Sequence, residues 1–184
     1  MLRIIPALHL LTIGMIVWGA ADLCADDTTC GVLSETRLVR GSSMAPLVKA
    51  AETITLLKGF YGCYPIERED IVIYEYASTR VPAIKIVKGV PGDRYRMERT
   101  PGGWRLFIDG RLVKNSQDRP YELNDKAAKM LGMFHGSAER VIPLERYLIL
   151  GNQVHGSRDS TRFGLAAKDH ILGKVILPET NKIV

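Results

Sequence analysis

The chain has 184 residues, of which 46% are hydrophobic and 24% charged, and it carries a formal net charge of +5. At ~100–200 residues per domain this predicts one compact domain with room for a buried core, and it excludes a disordered, collagen-like or coiled-coil chain. A mean hydropathy of +0.01 excludes a protein built mostly of membrane spans, yet leaves room for one.

That one lies at the start. Residues 4–21 (IIPALHLLTIGMIVWGAA) hold no formal charge, with Arg3 before them and Asp22, Asp26 and Asp27 after. At a 1.5 Å rise such a helix is ~27 Å long, at the lower limit for a ~30 Å hydrocarbon core. Positive charge before the stretch, from Arg3, and acidic residues behind it predict a single pass with a cytoplasmic N-terminus and the remaining chain outside. Gly19-Ala20-Ala21 also fits a cleaved secretory signal. Either way residues 1–21 form an anchor or signal segment, 22–35 a juxtamembrane linker, and 36–184 an exported domain.

Cys24, Cys30 and Cys63 suit an oxidising compartment and allow three pairings. Neither the cysteines nor His9, His135, His155 and His170 fall at metal-ligand spacing, so no metal or cofactor is expected. Nor does the sequence carry a nucleic-acid-binding motif.

Beyond the linker, strand-like runs alternate with turn residues. Strands are expected over 36–40, 53–58 (TITLLK), 70–76 (DIVIYEY) and 83–88 (AIKIVK), the last followed by the turn signal Pro91-Gly92-Asp93. Further strands at 95–98, 104–108 and 111–113 surround Asp109-Gly110, a two-residue type I′ hairpin signal. Strands at 147–150 and 171–177 complete the set. A helix is expected over 124–134, with Asn124 as its N-cap. The expected fold is mostly β, a single antiparallel domain behind an N-terminal membrane-spanning helix.

Three segments combine chemically useful side chains with shape-controlling neighbours. Gly41-Ser42-Ser43-Met44-Ala45-Pro46 offers a hydroxyl nucleophile, which is weak until a base removes its proton. Lys85 lies within Ile84-Lys85-Ile86-Val87, where desolvation disfavours the ammonium and leaves an amine able to act as a base. Strand alternation sends Lys85 and Lys88 to opposite faces, so at most one enters a given cleft. Residues 151–164 (GNQVHGSRDSTRFG) form a polar, glycine-bounded loop between two apolar strands. Together they supply a nucleophile, a base and an orienter.

In order and wording these segments resemble the type I signal peptidases, membrane-anchored serine peptidases with a serine–lysine dyad. Gly41 to Pro46 matches their G-x-S-M-x-P, Lys85 with Pro91-Gly92-Asp93 matches their base motif, and Arg68 to Tyr74 resembles R-G-D-I-V-V-F. Gly151 to Gly164 aligns without gaps on G-D-N-x-x-x-S-x-D-S-R-x-F-G, and Leu106 to Val113 resembles the L-Y-V-N-G-x-x-V hairpin. The resemblance implies a serine endopeptidase at the cell membrane that removes signal peptides from exported precursor proteins, with precursors and membrane lipid as partners. Ser43 would be the nucleophile, Lys85 the general base and Ser157 the residue that orients the amine. Ser42 and Met44 would border the substrate, Gly41 would leave the oxyanion site without a second side-chain donor, and Asp159 and Arg162 would support the loop. Three positions depart from the pattern: Asn152-Gln153 replace D-N, Thr161 replaces the arginine after D-S with Arg162 one place on, and Ile86 follows the lysine. The short chain also fits a narrower role, such as maturation of conjugative pilin subunits. A different class of reading is an inactive exported β-rich binding or scaffold module derived from such a peptidase.

Residues 1–30 contain one basic and three acidic residues, so residues 31–184 hold 24 basic against 17 acidic. The exported part is therefore the more basic one, which favours anionic lipid surfaces.

Overall fold

A computed structural model of the chain describes residues 30–76, 82–132 and 139–178. The expected anchor over 1–21, Cys24, and the end of the expected helix at 133–134 lie outside the described residues. Among the described residues no helix is long and apolar enough to cross a membrane.

In chain order the strands are β1 (Leu33–Leu38), β2 (Thr53–Lys58), β3 (Ile71–Glu75), β4 (Pro82–Gly89), β5 (Arg94–Thr100) and β6 (Gly103–Ile108). The two-residue strands β7 (Arg111–Leu112), β8 (Glu122–Leu123) and β9 (Arg140–Val141) follow, then β10 (Arg146–Leu150), β11 (Ala166–Ala167) and β12 (Ile171–Ile176). Helix α1 spans Asp125–Met130 and α2 spans Ser160–Phe163. The strands form two sheets, ordered β1-β2-β12-β3-β4-β10-β11 and β7-β6-β5-β9, with β8 added to β6. Every strand pairing is antiparallel, as expected for a mostly β domain.

Local chemistry accounts for the boundaries. Asp109 and Gly110 have φ of 47° and 75°, the two positive values that a type I′ turn needs between β6 and β7. The Asn124 side chain accepts from Ala127 N–H at 3.0 Å and starts α1, which ends before Gly132 at φ 82°. β1 begins and ends earlier than its composition suggests. Val39 turns into the core at 6% exposure, and its N–H and carbonyl bond Glu52 and Ala51, outside the regular ladder.

The core has three parts. One gathers Tyr95, Met97, Leu106 and Ile108 of the small sheet, with Tyr121 just before β8, against Leu148 and Leu150 of β10. A second packs Val72, Tyr74 and Val87 against Ile149. The third places Met44 and Val48 of the turn after β1 on Ile54, Leu56, Ile73 and Ile86. Each side chain fully removed from water stabilises by ~1.5–3 kcal/mol, so Met44 at 2% and Val48 at 0% exposure pin the turn that carries Ser43. Of the three possible cysteine pairings the structure takes Cys30–Cys63, with Cα atoms 6.0 Å apart at a sequence separation of 33. A loop of that length stabilises by ~3–4 kcal/mol, chiefly by restricting the unfolded chain. It fastens the approach to β1, whose own residues bury little.

Candidate active site

Ser43 stands two residues past the positive-φ Gly41 (86°), on a turn anchored from below by Met44. A second hold comes from the late loop: Asn152 N–H donates to the Ser43 carbonyl at 2.8 Å. Asn152 Nδ2 donates to Ala45 O at 3.3 Å, and Gln153 Nε2 donates to Ser42 O and Ala45 O, both at 3.2 Å. Asn152 and Gln153, which replace D-N of the family pattern, thus tie the late loop to the nucleophile turn. Their only signal in the sequence was that departure.

Lys85 projects from β4, where it pairs in register with Val72. It is 2% exposed, its Nζ lies 3.1 Å from Ser43 Oγ, and it donates to the Ile84 carbonyl at 2.8 Å. Burial pushes the amine below the ordinary lysine value, opposed in part by the charge of Asp159. An amine that sheds its proton easily, in contact with a hydroxyl, can accept that hydroxyl's proton.

Asp159 is fully buried and holds the late loop together. Its Oδ2 accepts from Gly151 N–H at 2.8 Å, Ser157 N–H at 3.1 Å and Ser157 Oγ at 2.6 Å. Its Oδ1 accepts from Thr161 N–H at 3.0 Å and Thr161 Oγ1 at 2.7 Å, which caps α2. The loop is therefore braced through the Thr161 hydroxyl and backbone amides. Arg162 is exposed and contributes its N–H to the Asp159 carbonyl at 2.8 Å. Gly151 is required by close approach: a Cβ there would sit 2.8 Å from the Ser43 carbonyl oxygen, with Ser157 Oγ closer still. Ser157 Oγ donates to Asp159, so toward an amine it is left with acceptor capacity.

The pair lines a groove of about 610 Å³ with an apolar floor that includes Ile54, Leu56, Ile73 and Ile84. Met44 reaches the groove as well, while Ser42 is exposed at its side. Among the described residues no cluster of three or more His, Cys, Asp or Glu side chains is placed to hold a metal ion.

A hydroxyl and a buried amine thus meet at an apolar groove on an antiparallel β domain, an arrangement compatible with a hydrolase of the serine type. The family model described as signal peptidase, peptidase S26, matches residues 12–179. Signal peptidase IB of Staphylococcus aureus (strain COL) is 30% identical over 148 residues, 74% of this chain and 73% of that protein. Signal peptidase I of Bacillus caldolyticus is 28% identical over 141 residues, 75% of each. A crystal structure of a signal peptidase I from Enterococcus faecalis V583 superposes with a TM-score of 0.40 at 19% identity, covering 61% of this chain and 98% of that one. The chain belongs to the signal peptidase family, peptidase S26, whose members are serine endopeptidases.

Proposed function

We propose that the protein is a membrane-anchored signal peptidase that cuts exported precursors through a Ser43–Lys85 dyad. The observation that carries this reading is the 3.1 Å contact between Ser43 Oγ and the nearly fully buried Lys85 Nζ. Neutral Lys85 takes the Ser43 proton as Oγ attacks the scissile carbonyl carbon. The tetrahedral oxyanion then forms beside the Ser43 N–H, which bonds no other described residue, and one such donor contributes ~2.7–4 kcal/mol. Collapse of the intermediate breaks the C–N bond, and Lys85 returns the proton to the leaving amine. A water deprotonated by Lys85 then releases the acyl group from Ser43. Lys85 Nζ bonds Ser43 Oγ and the Ile84 carbonyl while Ser157 Oγ donates to Asp159, so in this reading Ser157 orients the protonated amine only through its remaining acceptor lone pairs.

In this reading residues 1–21 anchor the chain with its N-terminus in the cytoplasm, 22–35 link, and 36–184 work on the extracytoplasmic side. Tethering enzyme and precursor to one surface raises their effective concentration. Cleavage of a precursor with an Ala-x-Ala site should be lost in both Ser43→Ala and Lys85→Ala. Full activity in either variant would overturn the dyad.

A further inference from the structure

The floor of the groove is apolar, but its charged lining has one sign. Arg37, Arg40, Lys85 and Arg158 line it, and no Asp or Glu does so among the described residues. Arg37 is paired with Glu35 on its own strand, and Lys85 faces Ser43. Arg40 and Arg158 remain: both are exposed, and neither makes an ion pair with a described residue.

Their positions are fixed by backbone that the site has already tied down. Arg40 follows Val39, which bonds Glu52 and Ala51, and precedes the Ser43 turn. Arg158 sits between Ser157 and Asp159, and its guanidinium carbon lies 4.8 Å from the centre of the Tyr76 ring. Stacking holds the planar group extended and leaves its N–H edge available. A solvated arginine on an open face needs no ligand. Two arginines without ion pairs to described residues, on different segments that line one groove, offer it guanidinium donors suited to a carboxylate.

We propose that Arg40 and Arg158 recognise a carboxylate of the substrate. The peptidase then prefers precursors with Asp or Glu within about three residues of the scissile bond, the reach of roughly 10 Å of extended chain. This rests on the Ser43–Lys85 reading, because it assigns the groove to the substrate. Small residues next to the cut fill the apolar floor, and the acidic side chain sets which precursors are taken fastest. Complementary charge acts on encounter rate and on selection among partners.

The test compares kcat/KM for the full chain in uncharged detergent on peptides sharing one Ala-x-Ala site. These carry Glu, Gln or Lys, placed in turn before and after the cut. Glu should exceed Gln by about three- to tenfold at its best position and exceed Lys by more, with the gap closing at high salt. Arg158→Glu should reverse the order in favour of Lys, a gain that an unfolded variant could not show. The Arg40→Gln/Arg158→Gln double variant should level the three peptides. Equal rates on Glu, Gln and Lys peptides by the wild type would overturn the proposal alone, as would a preference that survives in the double variant. Failure to cut even the Gln peptide would instead overturn the dyad reading, and this one with it.

Discussion

The two lysines of β4 are almost equally buried, Lys85 at 2% and Lys88 at 6% exposure, yet they sit in opposite chemical situations. Lys88 Nζ donates to both carboxylate oxygens of Glu69, at 3.0 and 2.7 Å, which compensates the ammonium. Lys85 has a hydroxyl and a carbonyl in contact and no carboxylate, so desolvation acts on it with little opposition. Burial alone therefore does not make a base. A buried amine without a counter-ion is what the proposed base requires, and the strand accommodates both arrangements three residues apart.

The contrast breaks most sharply in activity. Lys85→Met and Ser43→Ala should each lower kcat/KM by about a thousandfold or more, because members of such a unit fail together. Lys88→Met should stay within about threefold of wild type, since the partner carboxylate of Glu69 is exposed and remains solvated when the ammonium is removed. Loss of cleavage in Lys88→Met with retention in Lys85→Met would invert the assignment.

Next in size is Asp159, the charge that opposes the shift at Lys85. Asp159→Ala strands the N–H and O–H donors of Gly151, Ser157 and Thr161 in the interior and should cost about 3 kcal/mol or more in urea denaturation. A change below about 1 kcal/mol would show that the loop is held by something else.

Much of this was legible in the sequence, for reasons that particular residues make clear. Thr53–Lys58 alternates cleanly and is recovered to the residue, and Asp109-Gly110 admits one turn. Lys85 announced itself as a charge within an isoleucine and valine run. The two-residue strands β8, β9 and β11 carry too little pattern to be seen, since long-range pairing creates them. Helix α2 lay hidden within a segment read as loop, because its cap is the buried Asp159 itself. The brace on Asp159 was equally unreadable. Thr161 offers a short hydroxyl that reaches the carboxylate through the α2 turn, whereas the family pattern points to the long side chain of an arginine, here Arg162.

A smaller effect sharpens the placement of Ser43 relative to Lys85. Gln153→Ala removes two exposed hydrogen bonds to the nucleophile turn and should lower kcat by about two- to fivefold with KM nearly unchanged. A larger rise in KM than fall in kcat would place Gln153 on the substrate instead.

The smallest expected effect is in stability against pH. At acid pH the folded chain must bury a protonated Lys85, a cost that Lys85→Met escapes. As pH rises through the lowered value toward the ordinary lysine value, the folded state sheds a proton that the unfolded state keeps. Wild-type stability therefore gains on the variant across that window. Parallel stability curves for the two proteins would contradict the shift.

The central claim, that Lys85 is a neutral amine poised on Ser43, is tested most directly by following its side chain through pH by NMR with isotope-labelled lysine. Comparison with Lys85→Met identifies the signal. The account predicts a titration below the ordinary lysine value that coincides with the rising limb of kcat/KM. A Lys85 amine that titrates at the ordinary value, with activity rising independently of it, would contradict the account.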